Sequence, residues 1–164
     1  MIAALGTAPV SVRRHWLAAL VVSAALLMPV AAAHAHLAAS DPAANAAVAE
    51  PVTAVNLMFT EAVEIAFSTF KVYRIDGSVD LTAENADMRL NALAATLVSS
   101  YNGSQEDGDG KIQAEIASPV ADEARVTLAF SEPLEPGHYV VMWRLLSADT
   151  HVVDGHFVFT VIGE

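Results

Sequence analysis

Tyr139-Val140-Val141-Met142-Trp143-Arg144-Leu145-Leu146, followed after the polar stretch Ser147-Ala148-Asp149-Thr150-His151 by Phe157-Val158-Phe159-Thr160-Val161, decides the fold. Tyr139, Val141, Trp143 and Leu145 alternate, so in an extended chain they line one face of a long strand. Phe157, Phe159 and Val161 do the same in the next one. Working back towards the N-terminus, Val126, Leu128 and Phe130 alternate in another strand, and Val55, Leu57 and Phe59 in another. Phe67 to Ile75 is a further strand, closed by the turn signal Asp76-Gly77. Ser131 to Gly137 holds two prolines and a glycine and must be a turn. Short strands rich in Val, Phe and Tyr between turn signals predict an all-β antiparallel sandwich or barrel.

The middle of the chain breaks this rhythm. Leu90, Leu93 and Leu97 recur at helical spacing across Asp87 to Ser99, without Gly or Pro, which predicts a short amphipathic helix. Tyr101 to Lys111, dense in acids and glycines, reads as an exposed, flexible loop. Residues 87–123 are therefore read as an insertion on a β scaffold. Gln105-Glu106-Asp107-Gly108-Asp109-Gly110 has the outline of a calcium loop, but its closing bidentate position falls on Ile116, with Glu115 one residue off, so an EF-hand is not expected.

The first 33 residues read as a targeting segment. Arg13 and Arg14 precede an apolar run from Trp16 to Val30 broken only by Ser23, and Ala31-Ala32-Ala33 matches a small-residue cleavage site. Extended to Ala33 the run reaches 18 residues, the lower edge of a membrane span. Pro29 and the alanine triplet favour a signal peptide, and the weak twin-arginine pattern favours Sec export. Removal of 33 of the 164 residues leaves 131, a single domain starting at His34. It also removes two of the 8 Lys/Arg and no acid, leaving 6 against 19 Asp/Glu, a formal charge of −13. Such a polyanion repels nucleic acid and anionic lipid and attracts cations. No later run is long enough to span a membrane. The absence of cysteine excludes disulfides, zinc ribbons and thiolate sites for copper(I) or iron–sulfur clusters.

Cleavage after Ala33 changes the chemistry of His34. An N-terminal histidine offers its α-amine and ring Nδ1 to one metal ion. Asp149 and His151, two apart in an extended segment and so on one side, add a carboxylate and an imidazole. An amine, two imidazoles and a carboxylate suit copper(II). His36 opens a competing mode, in which the third residue binds copper(II) or nickel(II) with the amine and two deprotonated backbone amides, without Asp149 or His151. Leu37 and its successors look able to pack and restrain the terminus, which ranks that mode second. His36 also stands as a candidate supporting group. Met58, Met88 and Met142 are scattered, and core packing accounts for Met58 and Met142. His138 and His156 read as surface histidines. No Ser/His/Asp order, phosphate-binding glycine loop or HExxH helix supports a hydrolase.

With these residues on the page the chain resembles the CopC family of periplasmic copper-resistance proteins. The resemblance is carried by His34-Ala35-His36-Leu37-Ala38-Ala39-Ser40-Asp41-Pro42, by Leu57-Met58-Phe59-Thr60-Glu61, by Leu134-Glu135-Pro136-Gly137-His138-Tyr139, and by Trp143-Arg144 through Ser147-Ala148-Asp149-Thr150-His151 to Gly155. It implies a Greek-key, cupredoxin-like or immunoglobulin-like β-barrel or sandwich that binds Cu(II) through His34, Asp149 and His151, with Glu61 near the site. It also implies a periplasmic monomer that sequesters copper or hands it to a CopD-like inner-membrane copper transporter, and no enzyme. The Met-rich copper(I) site of some family members has no counterpart here. Two other readings stay open on the residues alone: a copper-dependent oxidative enzyme of the histidine-brace type, and a structural β domain with incidental N-terminal metal binding.

Overall fold

A computed structural model describes residues 35–77, 79–118, 124–147 and 151–163 of the chain. The segment read as a signal peptide lies outside them, as do His34 and Asp149. Among the described residues nine strands and one helix follow in order: β1 (Leu37–Asp41), β2 (Ala47–Val48), β3 (Ala54–Phe59), a 3-10 turn (Ile65–Phe67), β4 (Thr69–Ile75), α1 (Ala86–Tyr101), β5 (Lys111–Ile112), β6 (Glu115–Ala117), β7 (Arg125–Ala129), β8 (Gly137–Leu146) and β9 (Val152–Val161). They form two open sheets, β1-β3-β7-β6 and β2-β9-β8-β4-β5. The expected sandwich is therefore what forms, and the barrel alternative is not, because no strand among the described residues pairs across from one sheet to the other.

Alternation sets which side chains meet between the sheets. The first sheet contributes Val55, Leu57, Phe59, Val126 and Leu128. The second contributes Phe70, Val72, Tyr139, Val141, Trp143, Leu145, Phe157, Phe159 and Val161. The residues between these positions on the second sheet are apolar too. Tyr73, Ile75, Val140, Met142 and Val158 face outward and are covered by Ala86, Leu90 and Ala94 of α1, flanked by Leu97, Val98 and Tyr101. A sheet buried on both faces needs strands that are apolar on both, which is why Tyr139–Leu146 reads as a nearly continuous run. The helix spans slightly more than Asp87–Ser99. Its buried stripe passes through Ala94 rather than Leu93, which is 39% exposed.

The middle of the chain carries two features that periodicity does not announce. The segment read as an insertion contains β5 and β6, edge strands paired to β4 and β7. The acidic loop after α1 is also tied down. Lys71, on the outer face of β4 and only 5% exposed, donates from Nζ to the carbonyls of Ser104 (3.0 Å) and Glu106 (3.2 Å) and pairs with Asp107 at 3.0 Å. Lys111 holds the other Asp107 oxygen at 2.6 Å. Tyr101 stacks on Tyr73 with ring centroids 5.1 Å apart, and Gly108 lies where any Cβ would overlap the Tyr101 ring. The Asp107 carboxylate, part of the outline of a calcium site, is thus turned on the ammonium groups of Lys71 and Lys111. The expectation for Met58 is corrected. It sits on the outer face of β3, half-buried, while Met142 is fully buried under α1.

Trp143 fixes one glycine. In the β8–β9 register Trp143 faces Gly155, and a Cβ on Gly155 would overlap the indole. The indole uses that space to pack edge-on against Phe59 (centroids 5.8 Å apart, planes at 77°) and tilted against Phe157 (6.3 Å). Gly155→Ala is therefore expected to lower stability by about 1–3 kcal/mol, the usual cost of overpacking, with a changed near-UV signal from Trp143 in the same denaturation series. Unaltered stability would show that the indole has room to move.

The loop carries its own pH signature. Hydrogen bonds from Lys111, then Lys71, hold the Asp107 carboxyl below its ordinary value of 3.8. A depressed carboxylate contributes stability that is present above the unfolded value and lost as pH falls through the folded one. Asp107→Asn should remove that part of the acid sensitivity. Urea denaturation across a pH series is expected to show the variant losing less stability than the wild type below pH ~4.

Candidate functional site

One end of the sandwich holds His36, Glu61 and His151, the described residues among those singled out from the sequence. The start of β1 lies beside the end of β3, with Leu37 opposite Phe59. The end of β8 lies beside the start of β9, with Leu146 opposite Val152. Residues 60–68, which leave β3 and lead into β4, connect these two corners by hydrogen bonds in both directions.

On the N-terminal side, the His36 N–H donates to Thr60 Oγ1 at 3.0 Å, and the Thr60 N–H donates to the His36 carbonyl at 2.8 Å. Ala35 is fully buried in the core between the sheets. On the other side, Val63 bridges to Ser147, and the Glu64 N–H donates to the Leu146 carbonyl at 3.1 Å. The Ser68 hydroxyl works both ways: it donates to the Glu64 carbonyl (2.8 Å) and accepts from the Leu146 N–H (3.1 Å). Ser147, 1% exposed, donates its N–H to the His151 carbonyl at 2.9 Å. That bond joins the residue after β8 to the residue before β9.

Of the predicted site residues, His36 and His151 are therefore both at this end and both exposed, and Glu61 is half-buried in the segment between them. His34, next in sequence to the buried Ala35, and Asp149 lie outside the described residues. Among the described residues no group of three or more His, Asp or Glu stands close enough to hold a metal ion. The ligand set read from the sequence therefore depends on the two positions that complete it.

The other histidines are elsewhere. His138 pairs with Ile75 and Thr160 at the opposite end of the second sheet, with Nδ1 2.8 Å from Thr160 Oγ1. Burial pushes its pKa below the ordinary 6.5, so it is a partly enclosed group and not a plain surface histidine. His156 is exposed on β9, across from Met142. The three methionines after residue 33 are far apart in kind: Met58 on the outer face of the first sheet, Met88 exposed on α1 and Met142 buried beneath it.

Reading the sequence overlooked Thr60, Val63 and Ser68, the residues that join the two corners. Their contacts are mostly backbone-directed hydrogen bonds made at a distance along the chain, and no local pattern announces such bonds. The only hint was the change from the apolar strand Val55–Phe59 to the polar pair Thr60-Glu61.

Comparison with known proteins is in accord with this architecture. The CopC domain model matches residues 37–104 and 95–162. Protein YobA of Escherichia coli K12 is 31% identical over 141 residues, covering 86% of this chain and 89% of that protein. Copper resistance protein C of Escherichia coli is 30% identical over 131 residues, covering 80% and 83%. The crystal structure of PcoC, a methionine-rich copper resistance protein from Escherichia coli, superposes with a TM-score of 0.53 at 29% identity, covering 79% of this chain and 99% of PcoC. The chain belongs to the CopC family of copper resistance proteins.

Proposed function

We propose that this CopC-family protein is exported to the periplasm, is cleaved after Ala33, and binds copper(II) as cargo through the α-amine and imidazole of His34, the Asp149 carboxylate and the His151 imidazole. The protein is a binding protein and not an enzyme: it holds copper and releases it to an acceptor, for which a CopD-like inner-membrane transporter is the expected kind. Support comes first from the hydrogen-bonded segment 60–68, which is bonded to His36 on one side and to Leu146 and Ser147 on the other. The burial of Ala35 adds to this, because it restrains the residue next to the proposed chelate. The family match and the copper-resistance names of the relatives point to the same metal.

The donor chemistry selects the oxidation state. Nitrogen and carboxylate oxygen suit copper(II), whereas copper(I) prefers sulfur. Cysteine is absent, and Met58, Met88 and Met142 lie in separate places, on the outer face of β3, exposed on α1 and buried beneath α1, so the described residues offer no thioether cluster. His36 and Glu61 flank the proposed site as supporting groups, able to orient a ligand or accept a hydrogen bond from it.

Two measurements test this reading. The intact mass of the exported protein should correspond to a chain starting at His34, and should rise by one copper on loading. Any other start removes the chelate. Chelator competition on that protein should show Asp149→Ala and His151→Ala each weakening copper(II) by more than the ~10–100-fold that loss of an outer-shell partner costs. Affinity should also fall steadily as pH drops from 8 to about 5, because the amine and imidazoles must be deprotonated to ligate. An affinity flat with pH, or indifferent to Asp149→Ala, would sink the proposed ligand set.

A further inference from the structure

The same N-terminus offers copper(II) two incompatible chelates, and the structure assigns the choice between them to Thr60. This inference rests on the proposal that the mature chain begins at His34. In the second mode the metal sits in the plane of the first three residues and takes the α-amine, the backbone nitrogens of residues 35 and 36, and the His36 imidazole. A metal ion can take a backbone nitrogen only from the side where the amide hydrogen points. At residue 36 that side faces Thr60 Oγ1, 3.0 Å away.

The same residue holds His36 from its other side, since the Thr60 N–H donates to the His36 carbonyl at 2.8 Å. The pair extends the β1–β3 ladder by one step beyond Leu37 and Phe59. Ala35, whose nitrogen would be the other amide ligand, is anchored by a side chain at 0% exposure. To form the planar chelate, the terminus must give up the Thr60 hydrogen bond and draw residue 35 away from the core. Thr60 is thus a positioning residue that keeps residue 36 in strand pairing, and so disfavours the tripeptide chelate relative to the site proposed above. His36 becomes a residue whose backbone is engaged and whose ring is excluded from the tripeptide mode.

Nickel(II) is the probe, because its tripeptide complex is low-spin and planar with a characteristic visible band, while mixed imidazole–carboxylate sites give no such species. The protein is prepared to begin at His34 and carries His151→Ala, so that the folded site does not compete. With Thr60 in place no planar nickel(II) band is expected. Thr60→Val, which removes the acceptor at nearly constant volume, should produce the band and strengthen nickel(II) binding on the order of tenfold, and Thr60→Ser should restore the original behaviour. In metal-free protein the His36 amide should exchange with solvent on the order of tenfold faster in Thr60→Val than in the parent. Thr60 is exposed, so the core is untouched, and Trp143 fluorescence checks this.

A planar band already present with Thr60, an unchanged spectrum in Thr60→Val, or an equally fast His36 amide in both would each overturn the assignment. None of these readouts depends on Asp149 or His151 binding copper. Failure of the copper(II) site would show separately, as copper affinity unmoved by His151→Ala in a protein that keeps Thr60.

Discussion

The β8–β9 ladder carries the rest of the molecule. It runs unbroken from Gly137 opposite Val161 to Leu146 opposite Val152. Its inner face supplies Tyr139, Val141, Trp143, Leu145, Phe157, Phe159 and Val161 to the inter-sheet core, and its outer face supplies Val140, Met142 and Val158 to the helix. Slipping the register by one residue would exchange these two sets and place Trp143 opposite a residue with a side chain. The Trp143–Gly155 match therefore acts as a register lock as well as a packing contact. It also gives a physical reason for Gly155 in a stretch otherwise read for its metal chemistry.

How much of this was legible follows from the range of the forces involved. Alternating apolar residues announced β3, β7, β8 and β9, because burial of one face writes itself into period two, and the run from Phe67 to Ile75 closed by Asp76-Gly77 announced β4. The spacing of Leu90 and Leu97 announced the helix in the same way. Strands β2, β5 and β6 have two or three residues each and sit at or near sheet edges, where short length and polar side chains erase the pattern. Lys71 was invisible as an organiser of the loop, since nothing local distinguishes a lysine that snorkels to solvent from one that is capped by carbonyls 33 and 35 residues away.

The candidate site was legible in a different sense. The motif Asp149-Thr150-His151 and the cleavage pattern ahead of His34 are chemical signals, read from donor types and not from periodicity. The fold adds the part that chemistry alone does not supply, namely that residues 60–68 are bonded both to His36 and to the end of β8. Those links are made by residues with no ligand chemistry. Thr60 and Ser68 offer hydroxyls and Val63 a backbone bridge, and between them they connect residue 36 to residues 146 and 147.

Those small contacts matter because of what an unrestrained terminus would do. A chelate built from three consecutive residues closes almost no loop, whereas one that joins the start of the domain to residues 149 and 151 closes a loop of more than a hundred residues. In a free chain the entropy of that closure grows with the logarithm of loop length and always disfavours the distant donors. Folding removes the difference by meeting the closure cost in the packing of the sandwich, before any metal arrives. What remains is competition at the last few residues, where fraying is easiest. The strand pairing of β1, extended to His36 by Thr60, opposes that fraying. The copper(II) site proposed above would therefore depend less on the strength of its ligands than on how firmly residues 35 and 36 are kept in place.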